Sequence, residues 1–143
     1  MFKNIVKSFV VSLIMMQSVF ANEQAIMGSW VNAKGDGIIE ITLAQTKYIG
    51  TIIGTPDPIN NGRKDRKNPD QKLRDRLLEG LIILEGFSYQ EENLWSGGTI
   101  YDPNNGKTYK CKLSLNDDGT LNVRGYIGIS LFGRTEVWKR QVE

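Results

Sequence analysis

An all-β fold is predicted: an eight-stranded, mainly antiparallel barrel with one short helix after its third strand. Three observations carry this expectation. Short runs rich in β-branched residues alternate with Gly, Asn and Asp punctuation, the pattern of a meander. Eight such runs occur in a chain long enough for one domain only, and closing them into a barrel removes the exposed edges of an open sheet. A single cysteine, Cys111, and no histidine leave neither an internal disulfide nor an imidazole metal site, so an apolar core has to hold the fold.

Residues 1–21 are read as a cleaved signal peptide and 22–143 as the single barrel domain. Lys3 and Lys7 form a positive start, Phe9 to Phe20 an apolar stretch too short to span a bilayer, and Val19-Phe20-Ala21 places small residues at the −3 and −1 positions of a cleavage site. The expected location is the periplasm, with no membrane-spanning segment. Without Lys3 and Lys7 the chain carries 16 basic and 16 acidic residues, and this neutrality argues against a nucleic-acid partner or a general electrostatic role at membranes.

Strands are expected at Gly28 to Ala33, Gly37 to Leu43 and Lys47 to Gly54, then at Leu81 to Phe87, Leu94 to Tyr101, Lys107 to Asn116, Thr120 to Ile127 and Arg134 to Val142. Lys34-Gly35-Asp36-Gly37, Asp102-Pro103-Asn104-Asn105-Gly106 and Asp117-Asp118-Gly119 supply the left-handed conformations that tight turns need. One hairpin fixes its own register. Pairing Leu115 with Leu121 sets Leu113 opposite Val123 and Cys111 opposite Gly125 on one apolar face, making Cys111 a small core residue rather than a reactive thiol. The other face sets Lys112 against Arg124, an unfavourable like-charge pair that requires a compensating neighbour.

Between the third and fourth strands, Pro56 to Lys67 reads as a polar binding loop or lid. Asn68-Pro69-Asp70-Gln71 has the form of a helix start, and a helix is expected from Pro69 to Glu79, with Leu73 and Leu77 on one face and Gly80 ending it. Asp65, Asn68 and Asp70 lack the spacing of a calcium loop and are read as capping groups. Seven basic residues against three acidic ones between Arg63 and Arg76 make Arg63, Arg66 and Arg74 a candidate anion or partner patch, with a solvated charged face as the plainer account.

Histidine-dependent nucleophilic and general-base chemistry is excluded by composition. The adjacent carboxylates Glu91/Glu92 and Asp117/Asp118 lie on turns where they cannot face each other across a substrate. No catalytic residue, metal ligand or cofactor is assigned. The aromatic residues of the strands are the better candidates, although core packing accounts for each one separately. Trp95, Tyr101, Tyr109 and Trp138, with Arg134, are the candidate ligand contacts. Trp138 shares parity with Arg134, Glu136 and Arg140; the opposite parity would turn Thr135 and Val137 inward.

Gly28-Ser29-Trp30 near the start and Arg140 near the end together resemble the lipocalin and wider calycin pattern, in which the tryptophan of a Gly-x-Trp motif closes the barrel base under a late basic side chain. That resemblance implies structural closure by Trp30 and Arg140. The chain as a whole resembles the uncharacterised exported bacterial family 2147 of unknown function. The residues that carry the likeness are Gly28-Ser29-Trp30, Asn68-Pro69-Asp70, Gly80 to Leu84, Gly97 to Pro103 with Gly106 to Tyr109, Val123 to Tyr126, Leu131 to Thr135 and Trp138-Lys139-Arg140. Leu77 stands where that family leads one to expect proline. The resemblance implies export and a small barrel, but no activity.

The functional expectation is an exported protein that binds a small, partly apolar ligand in or at the mouth of its barrel. Gly97, Gly98, Gly125 and Gly128 are expected to leave room beside the aromatic residues. The alternatives are an envelope interaction module docking through residues 63–76 and a histidine-independent enzyme acting on a cell-wall component.

Overall fold

The structure, a computed structural model, describes residues 22–142; the predicted signal peptide lies outside the described residues. Eight antiparallel strands close into a barrel in sequence order: β1 (Gly28–Val31), β2 (Ile38–Ala44), β3 (Lys47–Gly54), β4 (Ile82–Tyr89), β5 (Leu94–Asp102), β6 (Lys107–Leu115), β7 (Leu121–Tyr126) and β8 (Gly133–Arg140). β8 returns to β1 through the pairs Trp30 with Arg140 and Val31 with Lys139, so no edge is left open. The β6–β7 register follows the expected pairing: Leu115 opposite Leu121, Leu113 opposite Val123 and Cys111 opposite Gly125. Cys111 is fully buried, which pushes its thiol up to about 12 and keeps it un-ionised.

The like-charge pair Lys112 and Arg124 is relieved without an acid. Arg124 turns its guanidinium onto the carbonyls of Ser130 and Leu131 and the Thr135 hydroxyl, while the Lys112 ammonium lies 5.9 Å from the centre of the Tyr126 ring.

The expected helix from Pro69 to Glu79 is not formed. A single 3-10 turn, Gln71–Leu73, stands there, capped by Asp70. A helix this short depends on burying its apolar stripe, yet Leu73 and Leu77 stay exposed and Leu78 goes into the core instead. The backbone has other partners: Leu78 N–H donates to Arg63 O and Asp65 N–H to Arg76 O, so the two ends of the loop pair with each other.

One end of the barrel is closed by the turn of residues 22–27. Ile26 is fully buried and accepts the Trp30 indole N–H at 2.9 Å. The Arg140 guanidinium lies 4.1 Å from the centre of the Trp30 ring and donates to the carbonyls of Met27 and Ala25. A cation on an indole face contributes roughly 0.5–2 kcal/mol, and the carbonyl contacts add to it. Arg140→Ala is therefore expected to lower the melting temperature by several degrees, with Arg140→Lys intermediate because it keeps the charge and loses the planar fork. A thermal melt unchanged by Arg140→Ala would remove this account of closure.

Candidate functional site

The other end of the barrel is open. A cavity of about 960 Å³ enters there, reached between the β1–β2 turn, the long β3–β4 loop, the β5–β6 hairpin and the β7–β8 loop. Strand alternation sets its lining. Inward positions of β2, β4, β5 and β7 bring Ile39, Ile83, Ile100 and Val123 to the wall, and Trp138 lies deepest on β8. The β8 parity is fixed by burial: Trp138 is 2% exposed and Val137 46% exposed. Arg134 and Glu136 therefore share the inner side with Trp138 and stand above it towards the mouth.

Tyr101, Tyr109, Arg134 and Trp138 all line this cavity, so four of the five sequence candidates come together. Trp95 does not. It lies at the closed end, fully buried, with its indole N–H donated to Glu23 O at 3.1 Å and Tyr89 packed edge-on at 5.2 Å. Its role is to hold the N-terminal turn against the barrel. The glycines divide similarly. Gly125 lines the cavity, with Ile100 and Tyr109 beside it. The space at Gly98 is taken by the Phe87 ring, because a Cβ there would stand 2.6 Å from it and 2.5 Å from Glu85 O. Gly97 and Gly128 do not line this cavity.

The β3–β4 loop forms part of the wall through Thr55, Asn60, Arg63 and Leu78, and one ion pair and one buried carboxylate tie it down. Arg63 reaches Asp36 of the β1–β2 turn at 3.0 Å. Burial alone would raise the Asp36 carboxyl, but the Asn32 and Arg63 hydrogen bonds, with the charges of Arg63 and Lys34, hold it below the usual carboxylate range.

At the far side Asp65, fully buried, accepts the Tyr101 hydroxyl at 2.6 Å, the Asn68 amide at 2.8 Å and the Arg76 guanidinium at 2.9 Å. Burial again opposes ionisation. The three donors and the Arg76 charge outweigh it and lower the carboxyl's pKa, while burial and Asp65 push the Tyr101 phenol up to about 12. Tyr101 thus borders the cavity and turns its hydroxyl to the loop. Tyr109 at the mouth accepts from the Asn105 amide at 2.8 Å.

The expected anion patch is divided among internal partners. Arg63 binds Asp36, Arg66 binds Asp75, and Arg74 donates to Asn68 O at 2.7 Å. These contacts shape the loop and leave no shared face of three free guanidinium groups. Sequence reasoning did not find the Asp65–Tyr101 contact; its one cue was a carboxylate set among seven cations, which here marks a buried counter-ion. Arg134 makes no ion pair among the described residues.

Residues 28–140 match the family model described as "Uncharacterized protein conserved in bacteria (DUF2147)". A solved structure, protein HP1028 from Helicobacter pylori, described as belonging to the lipocalin family, is similar with a TM-score of 0.75 and 24% identity, over 82% of this chain and 84% of that one. At that identity the likeness establishes the lipocalin-type barrel alone. No match was found among curated protein sequences.

Proposed function

The chain belongs to the bacterial family DUF2147, whose members are described only as uncharacterised, and we propose from its own geometry that it binds a small, partly apolar molecule in the open end of its barrel. The observation that carries this reading is the cavity itself. Its volume of about 960 Å³ lies within the ordinary range for small-molecule sites. Its lower wall is apolar (Ile39, Ile83, Ile100, Trp138), and its rim bears amides from Asn60 and Asn104, the Tyr109 hydroxyl and the Arg134 guanidinium. Such a cavity fits a ligand with an apolar body buried towards Trp138 and an acceptor or acidic group held at the rim by Arg134. The sequence features of residues 1–21 support export, so the ligand would be met in the periplasm.

Native mass spectrometry of the gently purified protein is expected to show a bound small molecule. Titration with a medium-chain fatty acid, followed by tryptophan fluorescence, to which Trp138 in the cavity contributes, is expected to saturate. Arg134→Ala should weaken binding about tenfold, the effect of one lost charge-assisted hydrogen bond, and Gly125→Leu should block it by filling the cavity beside Tyr109. A protein that carries no small molecule and leaves both the fatty acid and the apolar dye anilinonaphthalene sulfonate unbound would defeat the reading.

A further inference from the structure

The β7–β8 loop exposes apolar side chains that the barrel does not use. Ile127, Ile129, Leu131 and Phe132 are 59–75% exposed within six consecutive residues. Scattered apolar residues on a surface need no explanation, but a cluster at one loop tip marks a contact site. The loop stands at the cavity mouth, with Ile127 and Phe132 on its rim, and Ile59 of the β3–β4 loop, 82% exposed, lies at the same end of the barrel.

Cations outnumber acids around this tip, the carboxylates at its borders being Asp102, opposite Lys107, and Glu136, next to Thr135. From Pro103 to Asn116 the chain carries Lys107, Lys110 and Lys112 and no carboxylate; from Gly119 to Thr135 it carries Arg124 and Arg134 and none. Strand pairing gathers these residues. Lys110 pairs with Tyr126, Lys112 with Arg124 and Gly125 with Arg134, and the Lys110 ammonium donates to Gly128 O in the loop at 3.5 Å. The neutrality of the chain as a whole therefore conceals a local basic collar around an apolar tip. That combination is complementary to an anionic bilayer surface, where apolar side chains enter between headgroups and lysine and arginine meet the phosphates.

We infer that the β7–β8 loop is the segment through which this protein docks reversibly on an anionic phospholipid surface, with the barrel mouth turned towards the lipid. Among the described residues no helix is long and apolar enough to cross a membrane, and the contact proposed is peripheral. The inference stands on the loop and its collar; it holds whichever molecule occupies the cavity.

The test is flotation of the full barrel domain with vesicles of equal parts phosphatidylglycerol and phosphatidylcholine, set against pure phosphatidylcholine. The expected result is binding to the anionic vesicles only, weakened by salt. Ile129→Asp with Leu131→Asp, two exposed positions outside the cavity lining, should reduce it about tenfold or more, and Lys110→Glu with Lys112→Glu should reduce it as well. Neither double variant should alter fatty-acid binding in solution. Leu43→Asp, at the closed end, should leave flotation unchanged. Absence of flotation with fatty-acid binding intact would overturn the docking inference and spare the cavity reading. Equal loss with Leu43→Asp would also overturn it, as would a loop that supports self-association in sedimentation without vesicle binding.

Discussion

Asp65→Ala is expected to cost about 2–4 kcal/mol of folding stability, read as a shift in the urea midpoint at neutral pH. The carboxylate is fully buried and satisfies three donors at once, so its removal leaves the Tyr101 hydroxyl and the Asn68 amide without their acceptor. Arg76 also loses its partner, but its side chain is 37% exposed and water can take over part of its solvation, which keeps the cost below that of a fully buried orphan charge. Because Asp65 joins the β3–β4 loop to β5, the same change should loosen one wall of the cavity and weaken ligand binding together with stability.

The contribution of Asp65 depends on pH in a defined direction. Its pKa in the folded protein lies below the usual 3.8, so the unfolded chain binds the proton more readily. The stabilisation is therefore fully present above the unfolded value and is lost as pH falls through the folded one. Tyr101, held up to about 12, remains a donor throughout. The stability difference between the wild type and Asp65→Ala should be constant near neutrality and should narrow in acid below about pH 4, the unperturbed carboxylate range. A difference that stays constant down to strong acid would mean that the contact does not rely on the charge of Asp65.

Much of the barrel is legible in the sequence because its rules are local. β-branched runs with turn residues between them locate all eight strands, and the alternation of Cys111, Leu113 and Leu115 against Leu121, Val123 and Gly125 is enough to set a register. What failed depended on pairings that strand and helix periodicity do not encode. Asn68-Pro69-Asp70 is a valid start signal, but a helix after it would need a buried stripe, and the loop ends find each other across Arg63 and Leu78 instead. Trp95 obeys the same alternation as the cavity residues; only the carbonyl of Glu23, at the other end of the barrel sequence, reveals that its indole belongs to the closed base. The basic run from Arg63 to Arg76 reads as a patch until each arginine is matched to its acceptor. Strand parity in the sequence places Tyr109, in step with Cys111 and Leu113, but leaves the last strand open until the burial of Trp138 decides it, and tertiary pairing hides Asp65 and Asp36.

Gly106→Ala is expected to be as damaging as the loss of Asp65, by about 2–5 kcal/mol, through a contact invisible in the sequence. Gly106 ends the β5–β6 turn at φ +73°, a left-handed conformation in which alanine is strained. A Cβ there would also fall 1.9 Å from the carbonyl oxygen of Lys67. Neither backbone can absorb such an overlap, so the segment around Lys67 must move away from the hairpin. It cannot do so alone: Asn68 follows Lys67 directly and donates to Asp65, which holds Tyr101 one residue before Asp102 of the same hairpin. Displacing the loop should therefore break the buried carboxylate cluster as well, and the two changes share one structural consequence. In a double-mutant cycle, Gly106→Ala and Asp65→Ala are expected to cost clearly less together than the sum of their separate effects, since the second removes what the first has already disrupted. Strict additivity in urea unfolding would show that the hairpin contact at Gly106 and the Asp65 cluster hold the loop independently.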